Sequence, residues 1–462
     1  MSLERIHLDF ATIRTALAAG VSALALVAES HRRAAASADD GIFTALVPAD
    51  AALAQAERQQ ARAAAGESLP LLGLTFSVKD NLHVAGMVTT CNCPGFAIHP
   101  DESAPAVTRL ERAGAVLVGK NTMDQFATGL NGTRSPEPLC RNAVDPAYIP
   151  GGSSSGSAVA VARDLVAFSL GSDTGGSGRV PAACNGIVGL KPTLGLVSTR
   201  GLVLNSRLLD CIPVFARTCR DAWEILDLIR GHDPQDPGSR PDADAIARGP
   251  VSAEPSVLAV FRPAEMPFFG DDHARAAYEA GLAVLARLGH TFREIPFGPF
   301  AEAGRLVFQS ALVAERLVSY GTILAERPEA IHPAVRSAIA AGTAYSARDA
   351  FEALDALRAL RRRAALELAG TATLVVPTVP TIFTIAEMLA EPMARNTQMG
   401  TYTYFVNPLD LCAVTVPGRR RPDGLPSALC FVGQAGTDHV VSALATAFED
   451  ASRAGSVLGR AL

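Results

Sequence analysis

Charge is scarce in this chain of 462 residues: 19% are charged, with 41 Lys and Arg against 46 Asp and Glu, a net charge of −5 at pH 7. That balance excludes a general nucleic-acid binder, which needs a strong basic excess, and supplies no cationic face for an anionic membrane. Cysteine is sparse too. Cys91, Cys93, Cys140, Cys184, Cys211, Cys219, Cys412 and Cys430 form no repeated Cys-x-x-Cys pattern, which leads us to expect reduced thiols in a cytoplasmic protein. Cys91 and Cys93 lack a second Cys/His pair at zinc spacing, so no metal or other cofactor is expected. No uninterrupted apolar run reaches the roughly 18 residues of a membrane-spanning helix. The apolar stretch from Thr15 to Ala28 is not expected to be a leader, because Glu4, Asp9 and a helix-cap signature interrupt that pattern. There is no internal repeat and no low-complexity tract.

What is present is apolar material, 48% of the residues and ample for a large core. Residues 1–66 read as helices, with Gly20 ending one and Ser22 capping the next. Phe43–Val47 is a short strand candidate, and Pro48 and Asp50 open a helix that runs to about Ala65. Beyond Leu71, β-like runs at Leu74–Val78, Ala115–Gly119, Val166–Ser169 and Gly186–Leu190 alternate with helical stretches, the signature of an α/β layer architecture. Residues 231–256, rich in Pro, Asp and Gly, are the best candidate linker or surface excursion. Then come a strand at Val257–Phe261, a helix at Asp272–Leu288, a long helical region of about Pro299–Arg363, strands at Ala372–Pro377 and Leu429–Val432, and a terminal helix from about His439 to Ser452. Arg361–Arg363 and Arg419–Arg421 read as solvated faces. About 150 residues per domain would give three domains, yet the pattern favours one large α/β domain.

The unusual chemistry lies in two Gly/Ser-rich loops, Pro150-Gly-Gly-Ser-Ser-Ser-Gly-Ser157 and Gly171-Ser-Asp-Thr-Gly-Gly-Ser-Gly-Arg-Val-Pro181. Each could be a tight turn in which Gly supplies positive φ and Ser caps a helix. Neither is followed by the Lys-Ser/Thr pair of a nucleotide-binding loop. Gly152-Ser-Ser154-Ser-Gly156 matches the G-x-S-x-G elbow formally, but the preceding residues 142–150 hold two prolines and no strand pattern. A serine nucleophile needs a proton acceptor. None of the nine His lies within either loop, which leaves a His distant in sequence or Lys79. The latter ends Gly73-Leu-Thr-Phe-Ser-Val-Lys79, where burial beside Phe76 and Val78 would lower the amine's pKa toward neutrality.

Together these three segments resemble the amidase signature family: a Lys at a strand end, a Gly-Gly-Ser-Ser loop (residues 151–154), and a Gly-Ser-Asp-Thr-Gly-Gly-Ser loop (residues 171–177). The match runs from about Leu71 to Pro213, with Gly189-Leu-Lys-Pro-Thr193 and the later Val375-Val-Pro-Thr378 also fitting. The resemblance implies a single large domain built on a central mixed sheet with helices on both faces. Residues 1–66 would pack on the core, 67–230 carry the catalytic loops, and 231–462 complete the domain and its pocket helices. It further implies Ser177 as nucleophile, Ser153 as a bridging serine in a cis peptide, and Lys79 as the final base. The backbone N–H groups of Thr174, Gly175, Gly176 and Ser177 would form the oxyanion hole. Ser154, Asp173 and Arg179 would support the loops, and Cys91 could line the pocket.

Further segments are similar to allophanate hydrolases within that family, among them Gly129-Leu-Asn-Gly-Thr-Arg-Ser-Pro136, Ser198-Thr-Arg-Gly201, Val313-Ala-Glu-Arg316 and Gly400-Thr-Tyr-Thr403 through Asn407. Those enzymes split the terminal amide of urea-1-carboxylate. The likeness implies Arg316 as the carboxylate-binding residue, with Gly129 and Asn131 as further substrate contacts; read from the residues alone, Arg316 is a helix-surface residue paired with Glu315 or Glu302. Phe308 stands where the family carries a substrate-contacting Tyr, a departure that favours either a different substrate or a broad-specificity amidase. An amidotransferase-type subunit that needs a partner is a further alternative. Allophanate hydrolases commonly carry an additional C-terminal domain, whose reaction is not expected within these residues. A homodimer acting on a small molecule is the expected form.

Overall fold

In the computed structural model, which describes residue 3, residues 6–246 and residues 253–458, eleven short strands join in one sheet. They are β1 (Phe43–Leu46), β2 (Thr75–Lys79), β3 (Val116–Asn121), β4 (Phe168–Leu170), β5 (Val188–Lys191), β6 (Val214–Ala216), β7 (Val257–Phe261), β8 (Thr291–Ile295), β9 (Thr373–Pro377), β10 (Leu411–Pro417) and β11 (Ala428–Gln434). Their order across the sheet is β1-β3-β2-β4-β6-β5-β10-β11-β9-β7-β8. β2 runs parallel to β3 and β4, and β7 parallel to β8 and β9. The central pairs from β4 through β6, β5, β10 and β11 to β9 are antiparallel, so the sheet is mixed.

Both faces are covered, which is why strands such as β2, β3, β6 and β9 are buried at every residue. Along β6 the faces separate cleanly. Val214 and Ala216 pack with the helices Pro105–Arg112 and Cys219–Ile229, while Phe215 between them packs with the helix Ser155–Ala162.

Most predicted strands form with ends displaced by a residue or two, and Asp272–Arg287 and Asp438–Leu458 are the expected helices. Ser22 caps the second helix by accepting the N–H of Ala25. β6, β8 and β10 were not predicted: β8 is an edge strand whose Arg293 and Glu294 dilute the alternation, and β10 is buried on both faces, an apolar run with no alternation to mark it. The long helical region divides into Gly298–Gln309, Arg316–Glu326, Pro333–Ala340 and Ala347–Leu368. Pro328 and Pro333 cannot continue the preceding turns, and a Ser346–Asp349 capping box starts the last helix.

Two expectations need narrowing. Within 231–256, residues 247–252 lie outside the described residues, and 231–246 is the surface excursion rather than a free linker. The N–H groups of Gly231 and Arg240 donate to Leu196 and Gly195, and the Asp233 and Asp236 carboxylates accept the Ser198 hydroxyl, so this segment is sewn onto the core. Nor are the arginine runs uniformly solvated. Arg361 Nε donates to the Pro408 carbonyl at 2.6 Å, and buried Arg421 pairs with Asp271 and Asp423. No helix among the described residues is long and apolar enough to cross a membrane.

The topology places the chemistry. Because β2 and β4 are parallel neighbours, their carboxyl ends open on the same sheet edge. β2 ends in Lys79 there, and β4 delivers the loop Gly171–Ser177.

Candidate active site

Lys79 is wholly buried, and Ser153 Oγ lies 2.6 Å from its Nζ. Ser153 Oγ in turn lies 2.9 Å from Ser177 Oγ, so one chain of hydrogen bonds links the amine to the second serine. The peptide Gly152–Ser153 is cis, and a Cβ on Gly152 would fall 2.1 Å from Asp124 Oδ2, so glycine is required there. Burial pushes the Lys79 pKa down from its ordinary 10.5 to about 7, against the opposing pull of the Asp124, Asp210 and Asp173 charges. The neutral amine fits its surroundings: its two N–H groups can point at Ser172, whose Oγ is at 2.8 Å and carbonyl at 3.5 Å, while its lone pair faces Ser153. Ser172 Oγ also accepts the Asn81 amide at 2.9 Å, which holds it in the acceptor role.

The second loop is braced by an ion pair with no exposed surface. Arg179 donates to Asp173 from Nε at 3.0 Å and Nη2 at 2.9 Å, and reaches Asn407 Oδ1 at 2.8 Å and the Thr403 carbonyl at 3.1 Å. Burial alone would raise the Asp173 pKa, but the guanidinium outweighs it and holds the carboxyl below its usual range. Asp173 accepts the N–H groups of Gly176 at 2.8 Å and Gly178 at 2.9 Å. Of the four N–H groups expected in the oxyanion hole, that of Gly176 is engaged by Asp173, whereas those of Thr174, Gly175 and Ser177 carry no such bond among the described residues. Ser154 hydrogen-bonds the Ser172 carbonyl, a supporting contact.

Ser177 opens on a cavity of about 190 Å³ whose walls include Gly129, Arg134, Gly175, Phe308, Arg316 and Tyr404. Arg316 is buried, not a surface residue, and Glu315 is turned away to accept from Ser206 and the Arg207 N–H. The Arg316 guanidinium makes one long hydrogen bond, 3.4 Å to the Ala338 carbonyl, and lies 5.4 Å from the centre of the Phe308 ring. Burial lowers its pKa to about 10, so it remains a cation at neutral pH. The Phe308 ring sits 4.2 Å from that of Tyr404. Tyr404 thus brings to this wall the phenol that Phe308 lacks; its Oη donates to the Asn396 carbonyl at 3.3 Å and accepts from Asn396 Nδ2 at 3.2 Å. Asn131 is spent on structure: Nδ2 donates to Asn396 Oδ1 at 2.9 Å, and Oδ1 accepts from Thr133. Cys91, which could have lined the pocket, is not among the cavity's walls; it is buried in a cluster with Phe126 and Tyr320, within electrostatic reach of Lys79.

This arrangement can pass a proton from a cavity-facing hydroxyl through a second hydroxyl to a neutral amine, beside free N–H donors and a buried cation. The family model described as Amidase matches residues 25–441. The chain belongs to the amidase family. It is 38% identical over 385 residues to a urea amidolyase of Saccharomyces cerevisiae, an alignment that covers 83% of this chain but only 21% of that relative's length. It is 35% identical over 439 residues to a glutamyl-tRNA(Gln) amidotransferase subunit of Synechococcus, covering 88% of this chain and 90% of that one. A solved allophanate hydrolase of Kluyveromyces lactis superposes with a TM-score of 0.83 at 35% identity, covering 89% of this chain and 67% of the other.

Motif reading missed several residues of this amidase site. Ser172 was within reach, being part of the Gly171–Pro181 loop. Asp124 accepts the N–H groups of Asn131, Gly132 and Arg134 and so shapes the wall beneath Ser153, while Asn396 and Tyr404 arrive from segments far along the chain. Tyr404 lies within the segment 400–407 that carries the resemblance, but no motif marks Asp124 or Asn396. Among the described residues no group of three or more His, Cys, Asp or Glu is placed to hold a metal ion.

Proposed function

We propose that this chain is a serine amidohydrolase acting on a small, anionic ureido or amide substrate, with allophanate the best single choice, through a Ser177–Ser153–Lys79 relay. The observation that carries this reading is the unbroken 2.6 Å and 2.9 Å chain from Lys79 to a serine that faces a cavity holding a cation with no carboxylate partner among the described residues. Uncharged Lys79 takes the Ser153 proton as Ser153 takes that of Ser177, and Ser177 Oγ attacks the amide carbonyl. The N–H groups of Thr174, Gly175 and Ser177 stabilise the tetrahedral oxyanion. The relay then runs backwards: Lys79 returns its proton through Ser153 to the leaving nitrogen, ammonia departs, and water hydrolyses the acyl-enzyme by the same path. Arg316 receives the substrate's carboxylate, for which a guanidinium fork is the natural partner.

The test is ammonia release by the purified chain from allophanate, biuret, and simple aliphatic and aryl amides. Preference for the anion supports the assignment; preference for neutral amides removes the role given to Arg316. The comparable identity to an amidotransferase component favours a second reading, a subunit competent only with a partner. Ammonia release by the isolated chain without glutamine or tRNA excludes it.

A further inference from the structure

We propose that Asn205 is a specificity-determining residue, whose side-chain oxygen accepts a hydrogen bond from a substrate N–H next to the carbonyl that Ser177 attacks. The site is then built for ureido compounds, R–NH–CO–NH₂, over plain carboxamides. This inference rests on the reading of Ser177 as nucleophile and narrows the substrate class.

Asn205 is buried and lines the same cavity as Ser177, Thr174 and Arg316. Its Nδ2 donates to the Ala127 carbonyl at 3.2 Å, which fixes which end of the amide is oxygen. Oδ1 is buried and has no hydrogen-bond partner among the described residues. Orphaned buried acceptors are uncommon because each one costs the hydrogen bond it made to water. On the wall of a substrate cavity the missing donor has an obvious source, the substrate itself.

The rest of the wall shows which donor. Arg316 and Arg134 supply N–H groups only, and the N–H groups of Thr174, Gly175 and Ser177 carry no hydrogen bond among the described residues; these suit a carboxylate and a carbonyl oxygen. The amide oxygen of Asn396 and the phenol of Tyr404 on this wall are already engaged, whereas Asn205 Oδ1 is an unpartnered acceptor, and so favours a substrate that brings an N–H. Its position is also tied to the reacting loop. Asp210 accepts the Asn205 N–H at 2.6 Å through one oxygen and the Thr174 hydroxyl through the other, so a single carboxylate holds both at a set spacing. A substrate with CH₂ in place of N–H leaves Oδ1 unpaired, and sites built to bond a group reject the analogue that lacks it.

The test compares two isosteric pairs on the purified chain: allophanate against malonamate, which carry the anion, and biuret against malonamide, which are neutral. Members of a pair differ by N–H against CH₂; slow members are read as competitive inhibitors. We expect Asn205→Ala to lose about tenfold in kcat/KM on the N–H member while the CH₂ member changes less than about twofold, with Asn205→Ser as the milder truncation if the alanine variant folds poorly. Equal losses within a pair make Asn205 a structural residue and overturn the proposal, as does no loss at all. Preference between the pairs judges the anionic reading separately, since the selective loss can hold in the neutral pair alone. Neither turnover nor inhibition by any of the four compounds overturns both.

Discussion

Replacing Lys79 by methionine probes the relay at its proton sink and the fold at a wholly buried amine. The pKa falls from 10.5 to about 7, and each unit is worth about 1.4 kcal/mol, so the folded protein disfavours the ammonium by on the order of 5 kcal/mol relative to the unfolded chain. For wild type, kcat/KM should follow the fraction of neutral lysine: half-maximal near pH 7, about tenfold lower for each unit below, level above. Stability moves with it. Between about pH 7 and 10.5 the unfolded chain holds this proton and the folded chain does not, so wild-type stability rises with pH across that window from this group, and the full penalty is present below it. Lys79→Met has no such group. It should lose at least about 10³ in activity, and its stability advantage over wild type, whatever its size, should shrink by about 1 kcal/mol for each unit from pH 7 to 10. Urea unfolding of both proteins at pH 7, 8, 9 and 10 measures this. A stability gap independent of pH, or a kcat/KM that stays flat down to pH 5.5, refutes the neutral buried amine and with it the relay.

Ser177→Ala should abolish ammonia release by at least about 10³, and adding Ser153→Ala or Lys79→Ala should cost little more, because groups acting as one unit are not additive; the single, double and triple variants under one assay decide it. Arg316→Met should raise KM for an anionic substrate about 10- to 100-fold while leaving neutral amides within a few-fold, read by parallel Michaelis curves on allophanate and biuret. Asp173→Asn strands the Arg179 cation in the core and should cost about 3–5 kcal/mol in urea unfolding, with Asp173→Asn/Arg179→Met recovering part of it; an unchanged midpoint in the single variant removes the bracing role.

Local order was legible from local signals. The cap at Ser22, the strand at Val257–Phe261 and the helix opening at Asp272 appear where short-range patterning puts them, since capping and periodicity depend only on nearby residues. Lys79 and the two Ser-rich loops stood out because glycine and serine in that density are chemically unusual, and their resemblance to a known family gave the three residues their roles. What local patterning could not reveal was contact across the sheet. Glu315 beside Arg316 looks like its partner by nearness in sequence, but the chain turns it toward Ser206 and buries the arginine against Phe308. Within one loop, the Gly176 N–H is engaged by Asp173, whose side chain is held by Arg179 and, through it, by Asn407 from far along the chain.

The sequence by itself determined most of the elements, the alternation that makes an α/β domain and the side chains proposed to react, because these depend on residue type and near-neighbour spacing. Only the tertiary structure decided the lysine's protonation, the donors left free beside Ser177, and the walls contributed by Tyr404, Asn396 and Asn205. Those depend on dehydration and on contacts that the folded chain makes between separate segments, from Lys79 to Ser153, 74 positions on, to Asn131 and Asn396, 265 apart, and the first of these exists only once parallel β2 and β4 bring their ends to one edge.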